Sequence, residues 1–286
     1  MMRPANIITS VADVLAGCAI AGIFSAQHFS VEWWRVLWLC FSTACLYGGG
    51  VVFNDVFDAE LDQTERPERA IPSGMVSIAQ ASTLGSVLLL AGIAAAFYCG
   101  TIPGLLAAGI AFFALLYNGI SKKNAFFGPL NMGVCRGLNL LLGISILVAQ
   151  LQQSYLTAIV PVIYIFSITL ISRGEVHGGD KRNLYIASAL YAIVTGIVLN
   201  YAFLNGRLVY SAIFLIPFLG MIFAPLLKAI RNPVGKNIGA AVKAGVISLI
   251  FLDAAWAATF NSPGVAVLIA CLLPLSIWLS KLFAVT

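Results

Sequence analysis

The chain contains the stretch LWLCFSTACLYGGGVVFNDVFDAELD, residues 37–62, in which a long apolar segment runs directly into a group of carboxylates. Six of the eleven acidic residues of the chain lie between Asp55 and Glu68. The apolar part is long enough for a helix that crosses a bilayer. Ionisable groups are costly inside hydrocarbon, so their sudden appearance marks the membrane boundary. The stretch therefore predicts a membrane-spanning helix whose last turns carry acidic residues at the membrane surface.

The composition of the whole chain is also typical of a membrane protein. Of 286 residues 60% are hydrophobic and 9% are charged, with a mean hydropathy of +0.97. One soluble core cannot hide so much apolar surface, which excludes an ordinary soluble protein. We predict an all-α integral membrane protein that forms one domain over residues 1–286. Its candidate spans are ten apolar runs, at residues 7–25, 34–53, 77–98, 102–118, 128–149, 156–172, 184–204, 208–227, 237–259 and 264–283.

Basic residues are distributed unequally between the two sides of these spans. Cytoplasmic loops carry the excess of Lys and Arg, and one side holds twelve of them against Arg35 and Arg207 on the other. This bias predicts a multi-pass protein of the plasma (inner) membrane with both acidic loops on the cytoplasmic side. It also explains the net charge of +5, which gives no reason to expect nucleic acid as a partner.

The carboxylates that follow the second span keep a helical phase. At about 100° per residue, Asn54, Asp55, Asp58 and Asp62 share an arc of about 100°, while Glu60 points away. Carboxylates on one face at a helix C-terminus repel each other and oppose the helix dipole, so a cation is expected among them. Magnesium, bound together with a diphosphate, suits such an all-oxygen site. The alternative is a solvated acidic loop without a ligand.

Two further places carry polar residues that the membrane does not explain. Arg136 and Asn139 lie inside the fifth apolar run, and an arginine there must face a cavity or a partner. It binds an anion such as a phosphate, or it pairs with Asp13 or Asp253 to join two helices. After the sixth span the loop SRGEVHGGDKR, residues 172–182, can bring Glu175 and Asp180 to one cation, with His177 as an added ligand or proton carrier or as an incidental polar residue.

Several motifs resemble the UbiA superfamily of intramembrane prenyltransferases, with the EboC-like branch closest in appearance. NDVFDAELD (54–62) with RPERAIPSG (66–74) resembles its first signature, and RPAN (3–6), YNGISKK (117–123) and GPLNMGVCRGLNLLLG (128–143) extend the similarity. The resemblance implies a bundle of nine to ten transmembrane helices around a central cavity that is open to lipid. It also implies Mg²⁺-dependent transfer of an isoprenyl group from an allylic prenyl diphosphate to a small lipophilic acceptor in the bilayer.

The resemblance and the residue patterns together predict three groups of site residues. The predicted catalytic residues are Asp55, Asp58, Arg136, Glu175 and Asp180. The predicted substrate-binding residues are Asn6, Asn54, Tyr117, Lys122, Lys123, Asn139 and Arg173, where the lysines either reach the diphosphate or only set the topology. The predicted Mg²⁺ ligands are Asp55, Asp58, Asp62, Glu175 and Asp180.

The second acidic loop departs from the pattern of the family, which is close to KDIEDIEGDKR. This chain keeps Glu175, Gly179, Asp180 and the basic pair after them, but it has Ser172, Arg173, Val176 and Gly178 where a lysine or acids are expected. The alternative function is therefore a membrane protein that binds or carries a hydrophobic small molecule without catalysis. A secondary transporter is disfavoured, because the acid-rich segments lie on one face rather than at the midplane.

Overall fold

A computed structural model describes residues 3–24, 33–175 and 181–282, and every regular element in these ranges is helical. Short 3₁₀ turns at Ser121–Lys123 and Tyr155–Ala158 precede α6 and α8. The helices are α1 (Pro4–Ile20), α2 (Trp33–Phe57), α3 (Ala59–Glu65), α4 (Ile78–Cys99), α5 (Thr101–Gly119), α6 (Phe127–Ile144), α7 (Val148–Ser154), α8 (Ile159–Ser172), α9 (Lys181–Leu204), α10 (Leu208–Arg231), α11 (Gly235–Thr259), α12 (Pro263–Ala270) and α13 (Leu272–Leu282).

Eight segments of the described chain are long and apolar enough to cross a membrane, so the predicted multi-span class is confirmed. Six of them are single helices, and two are composite, at Val148–Ser172 and Pro263–Leu282. By length and composition, the described chain thus has fewer membrane-spanning segments than the nine to ten that were predicted. The predicted first span, α1, has only 17 residues, and Arg136 and two asparagines lower the hydropathy of α6.

The outer surface of the bundle has the character expected of a protein whose solvent is lipid. Large apolar side chains are exposed on α2, α4, α9 and α10, and Leu37 and Phe203 keep about 70% of their surface. At the end of the bundle opposite the acidic segment, Trp34 and Trp38 of α2 pack against Tyr98 of α4. Amphipathic rings of this kind concentrate where the bilayer meets water.

The prediction that one helix carries all the acidic residues was wrong in one respect. α2 ends at Phe57, Asp58 leaves the helical conformation, and α3 begins at Ala59. The break places Glu60 and Asp62 in the first turn of a new helix. Negative side chains are favoured at a helix N-terminus and disfavoured at a C-terminus, so the restart relieves a clash with the dipole.

α1 is the central helix of the bundle and packs against α2, α6, α11, α12 and α13. Its approach to α6 is very close, because a Cβ atom on Gly143 would lie 2.3 Å from the carbonyl oxygen of Val14. A Cβ atom on Gly17 would likewise lie 2.4 Å from the carbonyl oxygen of Leu140. Small residues allow such backbone contact between helices in membranes. This contact brings the polar residues of α1 and α6 together in the middle of the protein.

Candidate functional site

The acidic cluster is held together by two basic side chains. The Arg69 guanidinium lies 2.7 Å from Asp62 Oδ2 and 3.6 Å from Asp55 Oδ1, and Lys122 forms an ion pair with Asp58. Asp55 and Asp62 are buried, whereas Glu60 is exposed. The three aspartates thus share one side of the chain, as their helical phase indicates, and the expected cations include Arg69 and Lys122 themselves.

Two asparagines link the acidic cluster to α5. Asn54 Nδ2 donates to Asp58 Oδ2 at 3.1 Å and lies 3.2 Å from Asn118 Oδ1. Asn118 Nδ2 in turn donates to the carbonyl oxygen of Gly50 at 3.0 Å. Asn118 and Arg69 are not among the site residues predicted from the sequence. The sequence does contain an indication for Asn118, because it is a polar residue that follows Tyr117 at the end of an apolar helix, where the helix reaches the membrane surface.

A second polar layer lies deeper, between α1, α2 and α6. Arg136 forms an ion pair with Asp13, so the pairing alternative is realised with that residue. Asn139 Nδ2 donates to Asp13 Oδ2 and to the carbonyl oxygen of Ser10, both at 2.9 Å. Thr43 Oγ1 donates to Asn139 Oδ1 at 2.6 Å. Asp13, Asn139 and Thr43 thereby have hydrogen-bond partners, which fixes these side chains in place.

Two residues of this layer keep unused hydrogen-bonding capacity. Arg136 Nη2 is buried and has no hydrogen-bond partner among the described residues. Asp253 of α11 lies within hydrogen-bonding reach of Asp13, and its Oδ2 also lacks a partner in the described part of the chain. Arg136 is therefore neutralised by one carboxylate and flanked by a second, while one of its donors remains available.

A cavity of about 250 Å³ connects the two layers. Its polar lining comes largely from both layers and from the start of α1, and includes Arg3, Thr9, Ser10, Thr43, Asn54, Tyr117, Asn118, Arg136 and Asn139. The remaining wall is largely apolar, with Leu46, Ile110, Met132, Ile165, Ile168 and Leu249 among its residues. The cavity thus has a polar, charged end beside the carboxylates and an apolar wall between the helices.

The other predicted site residues occupy different surroundings. Asn6 is buried in α1, whereas Lys123 lines a separate cavity. Arg173 donates to the carbonyl oxygen of Asn124 at 3.0 Å, and Glu175 lies against α11, where a Cβ atom on Gly239 would meet its Oε1 at 3.0 Å. Asp180 and His177 lie outside the described residues.

The acidic cluster suits magnesium in the type of its donors. Carboxylate and amide oxygens are hard ligands, and magnesium is commonly held by one or two carboxylates, with phosphate oxygens and water completing its shell. Within the described ranges, no three acidic, histidine or cysteine side chains converge on one point, because Arg69 and Lys122 engage the carboxylates. The residues therefore fit a metal that arrives with a diphosphate rather than an all-protein metal cage.

Comparisons with known proteins identify the family. The chain matches the UbiA prenyltransferase family over residues 15–232 and belongs to it. It is 30% identical over 170 residues to the digeranylgeranylglyceryl phosphate synthase of Saccharolobus solfataricus, covering 58% of this chain and 59% of that one. The chain spans little more than half the length of the curated relatives it matches.

Two solved structures share the fold. A UbiA homologue from Aeropyrum pernix K1 aligns with a TM-score of 0.70 at 15% identity, over 86% of this chain and 96% of that one. A UbiA homologue from Archaeoglobus fulgidus, bound to GPP and Mg²⁺, aligns with a TM-score of 0.54 at 12% identity, over 87% and 98%. The predicted superfamily is confirmed, and the EboC-like branch stays a prediction.

Proposed function

We propose that this protein transfers an isoprenyl group from an allylic prenyl diphosphate to a small lipophilic acceptor within the membrane, and that the transfer depends on Mg²⁺. The observation that carries the proposal is the cavity whose polar end includes Asn54, which hydrogen-bonds Asp58 of the acidic cluster, and whose remaining wall is largely apolar. A prenyl diphosphate has the same two-part character, with an anionic head and a hydrocarbon tail. Membership of the UbiA prenyltransferase family supports the same chemistry.

The head of the donor would lie at the acidic cluster. Asp55, Asp58 and Asp62 would hold the metal together with the diphosphate, and Glu175 and Asp180 are proposed to complete the set from the second loop. Magnesium supplies charge neutralisation of the departing diphosphate when bound. Arg69 and Lys122 would exchange their carboxylate partners for phosphate oxygens, since both are already within the cluster. This exchange keeps every buried charge matched.

The reacting carbon would lie deeper in the cavity. The carbon–oxygen bond to the diphosphate breaks with both electrons on oxygen, and a nucleophilic atom of the acceptor then attacks the allylic cation and loses a proton. Arg136 Nη2 is a buried donor with unused capacity and would stabilise developing negative charge. Tyr117 and the apolar wall would exclude water from the cation. Asn139, held by three hydrogen bonds, would keep Arg136 and its carboxylate in register.

The test is a transfer assay with purified protein in liposomes. Radiolabelled geranyl, farnesyl and geranylgeranyl diphosphates would be offered with lipophilic acceptors. One acceptor would be a prenylated glyceryl phosphate, because the similar Saccharolobus solfataricus protein is named digeranylgeranylglyceryl phosphate synthase. We expect labelled lipid product that is lost with EDTA. Asp58→Asn should lower transfer about a hundredfold, because it removes a carboxylate beside the leaving group. The matched control Glu60→Gln, on the exposed side, should transfer normally.

A carrier function is the second candidate, and one feature of the described residues favours it. Ser172 and Arg173 stand where the family pattern has a lysine and an aspartate, and Arg173 binds a backbone carbonyl. Protein that binds prenyl diphosphates but forms no product with any donor and acceptor pair would establish this alternative. Inverted and right-side-out vesicles of the cell membrane can test the proposed cytoplasmic orientation, because a membrane-impermeant amine label should reach Lys123 from the cytoplasmic face only.

A further inference from the structure

A second cavity lies on another face of α5 and α6. It measures about 520 Å³, and its wall includes Phe113 and Leu116 of α5 and Leu130 and Val134 of α6. The same two helices turn other residues, such as Tyr117 and Arg136, toward the first cavity. The lining residues of the two cavities do not overlap, so the second one does not belong to the proposed reaction site.

The polar end of this second cavity is formed at the turn between the two helices. Lys122 and Lys123 are neighbours in a 3₁₀ turn, but Lys122 pairs with Asp58 whereas Lys123 lines the second cavity. No ion-pair partner of Lys123 is found among the described residues. The sequence prediction that both lysines reach one diphosphate is therefore not supported for Lys123, and its charge is available for another ligand.

A buried oxygen in the same cavity also lacks a partner. Asn131 of α6 is 6% exposed and lines the cavity. Its Nδ2 donates to Ser121 Oγ at 3.1 Å, which fixes the orientation of the amide, while its Oδ1 accepts no hydrogen bond within the described part of the chain. A buried carbonyl oxygen without a donor is costly. A ligand with a hydroxyl group would satisfy it.

We propose that this cavity binds the headgroup and upper chain of an anionic bilayer lipid that carries hydroxyl groups, with phosphatidylglycerol as the fitting example. The phosphate would pair with Lys123, a headgroup hydroxyl would donate to Asn131 Oδ1, and the hydrocarbon would lie along the apolar wall. The turn that carries Lys123 lies at the same end of the bundle as the acidic cluster, where lipid phosphates are found. A lipid source is favoured over free phosphate because most of the wall is apolar.

The test measures lipid retention by the full chain. Purified protein would be placed in phosphatidylcholine nanodiscs with increasing phosphatidylglycerol, and bound lipid would be counted by native mass spectrometry. Lys123→Gln should weaken retention of phosphatidylglycerol about fivefold, as expected for one lysine at an anionic surface. Asn131→Ala should weaken it by a similar factor, about fivefold, through the lost hydrogen bond. The control Lys236→Gln removes an exposed charge at the start of α11 and should have no effect.

Three results would overturn the assignment. The first is that Lys236→Gln weakens retention of phosphatidylglycerol as much as Lys123→Gln does, which would mean that only the net charge of the protein matters. The second is equal retention of phosphatidic acid, whose headgroup lacks the glycerol hydroxyls. The third is binding of soluble glycerol 3-phosphate as tight as that of the lipid. If Asn131→Ala does not fold, Lys123→Glu decides the matter, since charge reversal at an exposed position should abolish retention, and normal retention would refute the proposal.

Discussion

Arg136 is a buried arginine with two nearby carboxylates, and this arrangement predicts that the carboxylates substitute for each other. Asp13 pairs with Arg136 directly, and Asp253 lies beside Asp13. Asp253→Asn leaves the ion pair intact and should cost less than about 1 kcal/mol of unfolding free energy, a small effect for a buried site. Asp13→Asn removes the direct partner but leaves Asp253 as a counter-charge, so we expect a cost of about 1–2 kcal/mol.

The double substitution should be much worse than the sum. It leaves Arg136, which is 7% exposed, with no carboxylate in this layer. A buried charge that loses its compensation costs about 3–5 kcal/mol. The coupling between the two positions should therefore be about 2 kcal/mol, well above the few tenths expected of independent sites.

Thermal unfolding in detergent measures this cycle. Cys18, Cys45 and Cys99 are free and buried, so a thiol-reactive dye reports their exposure when the bundle opens. At roughly 2–3 °C per kcal/mol for a chain of this size, the single variants should lose up to about 6 °C and the double variant about 6–15 °C. Additive losses would refute the reasoning, because they would mean that Asp253 does not share the charge of Arg136.

Three further outcomes follow from the contacts. Gly143→Ala should lower the melting temperature by at least about 5 °C through its clash with α1, whereas Gly220→Ala, with open space around it, should leave it unchanged or raise it slightly. Lys122→Gln should raise the KM for the prenyl diphosphate about tenfold by loss of a charge-assisted contact, and Lys123→Gln less than about twofold, as steady-state kinetics would show. Arg69→Gln should tighten Mg²⁺ binding in calorimetry without diphosphate, because it frees the two carboxylates it bridges; unchanged affinity would mean that they are not metal ligands.

The parts of the site that sequence could predict depend on local geometry. A helical period of 3.6 residues per turn is enough to place Asn54, Asp55, Asp58 and Asp62 on one side and Glu60 on the other. The break at Asp58 did not follow from this period. It depends on the balance between continuing α2 and restarting with acids at a new N-terminus, which is a difference of small energies.

The parts that could not be predicted depend on contacts between distant segments. The sequence offered Asp13 and Asp253 equally as partners of Arg136, and only the packing of α1 against α6 selects Asp13 for the direct contact. Packing between distant segments also determines why Lys122 pairs with Asp58 whereas Lys123 lines the second cavity. In a 3₁₀ turn adjacent side chains point about 120° apart, and the neighbouring helices decide what each one meets.

The charges around the first cavity bear on whether a diphosphate can bind without metal. Among the described residues, four cations and five carboxyl groups surround the cavity or its two polar layers, and two of the carboxyl groups, Asp13 and Asp253, lie close enough to share a proton. The cations are Arg3, Arg69, Lys122 and Arg136, and the other carboxyl groups are Asp55, Asp58 and Asp62. Three of these cations, Arg69, Lys122 and Arg136, already form ion pairs with carboxylates. An incoming diphosphate adds several negative charges where the dielectric is low. We therefore expect that a divalent cation must accompany the headgroup for binding itself, whether the protein is an enzyme or a carrier. EDTA should abolish binding of a labelled prenyl diphosphate to Asp13→Asn no less than to the unaltered protein, because one freed arginine does not offset the cluster; binding of the unaltered protein that is insensitive to EDTA would contradict this account of the site.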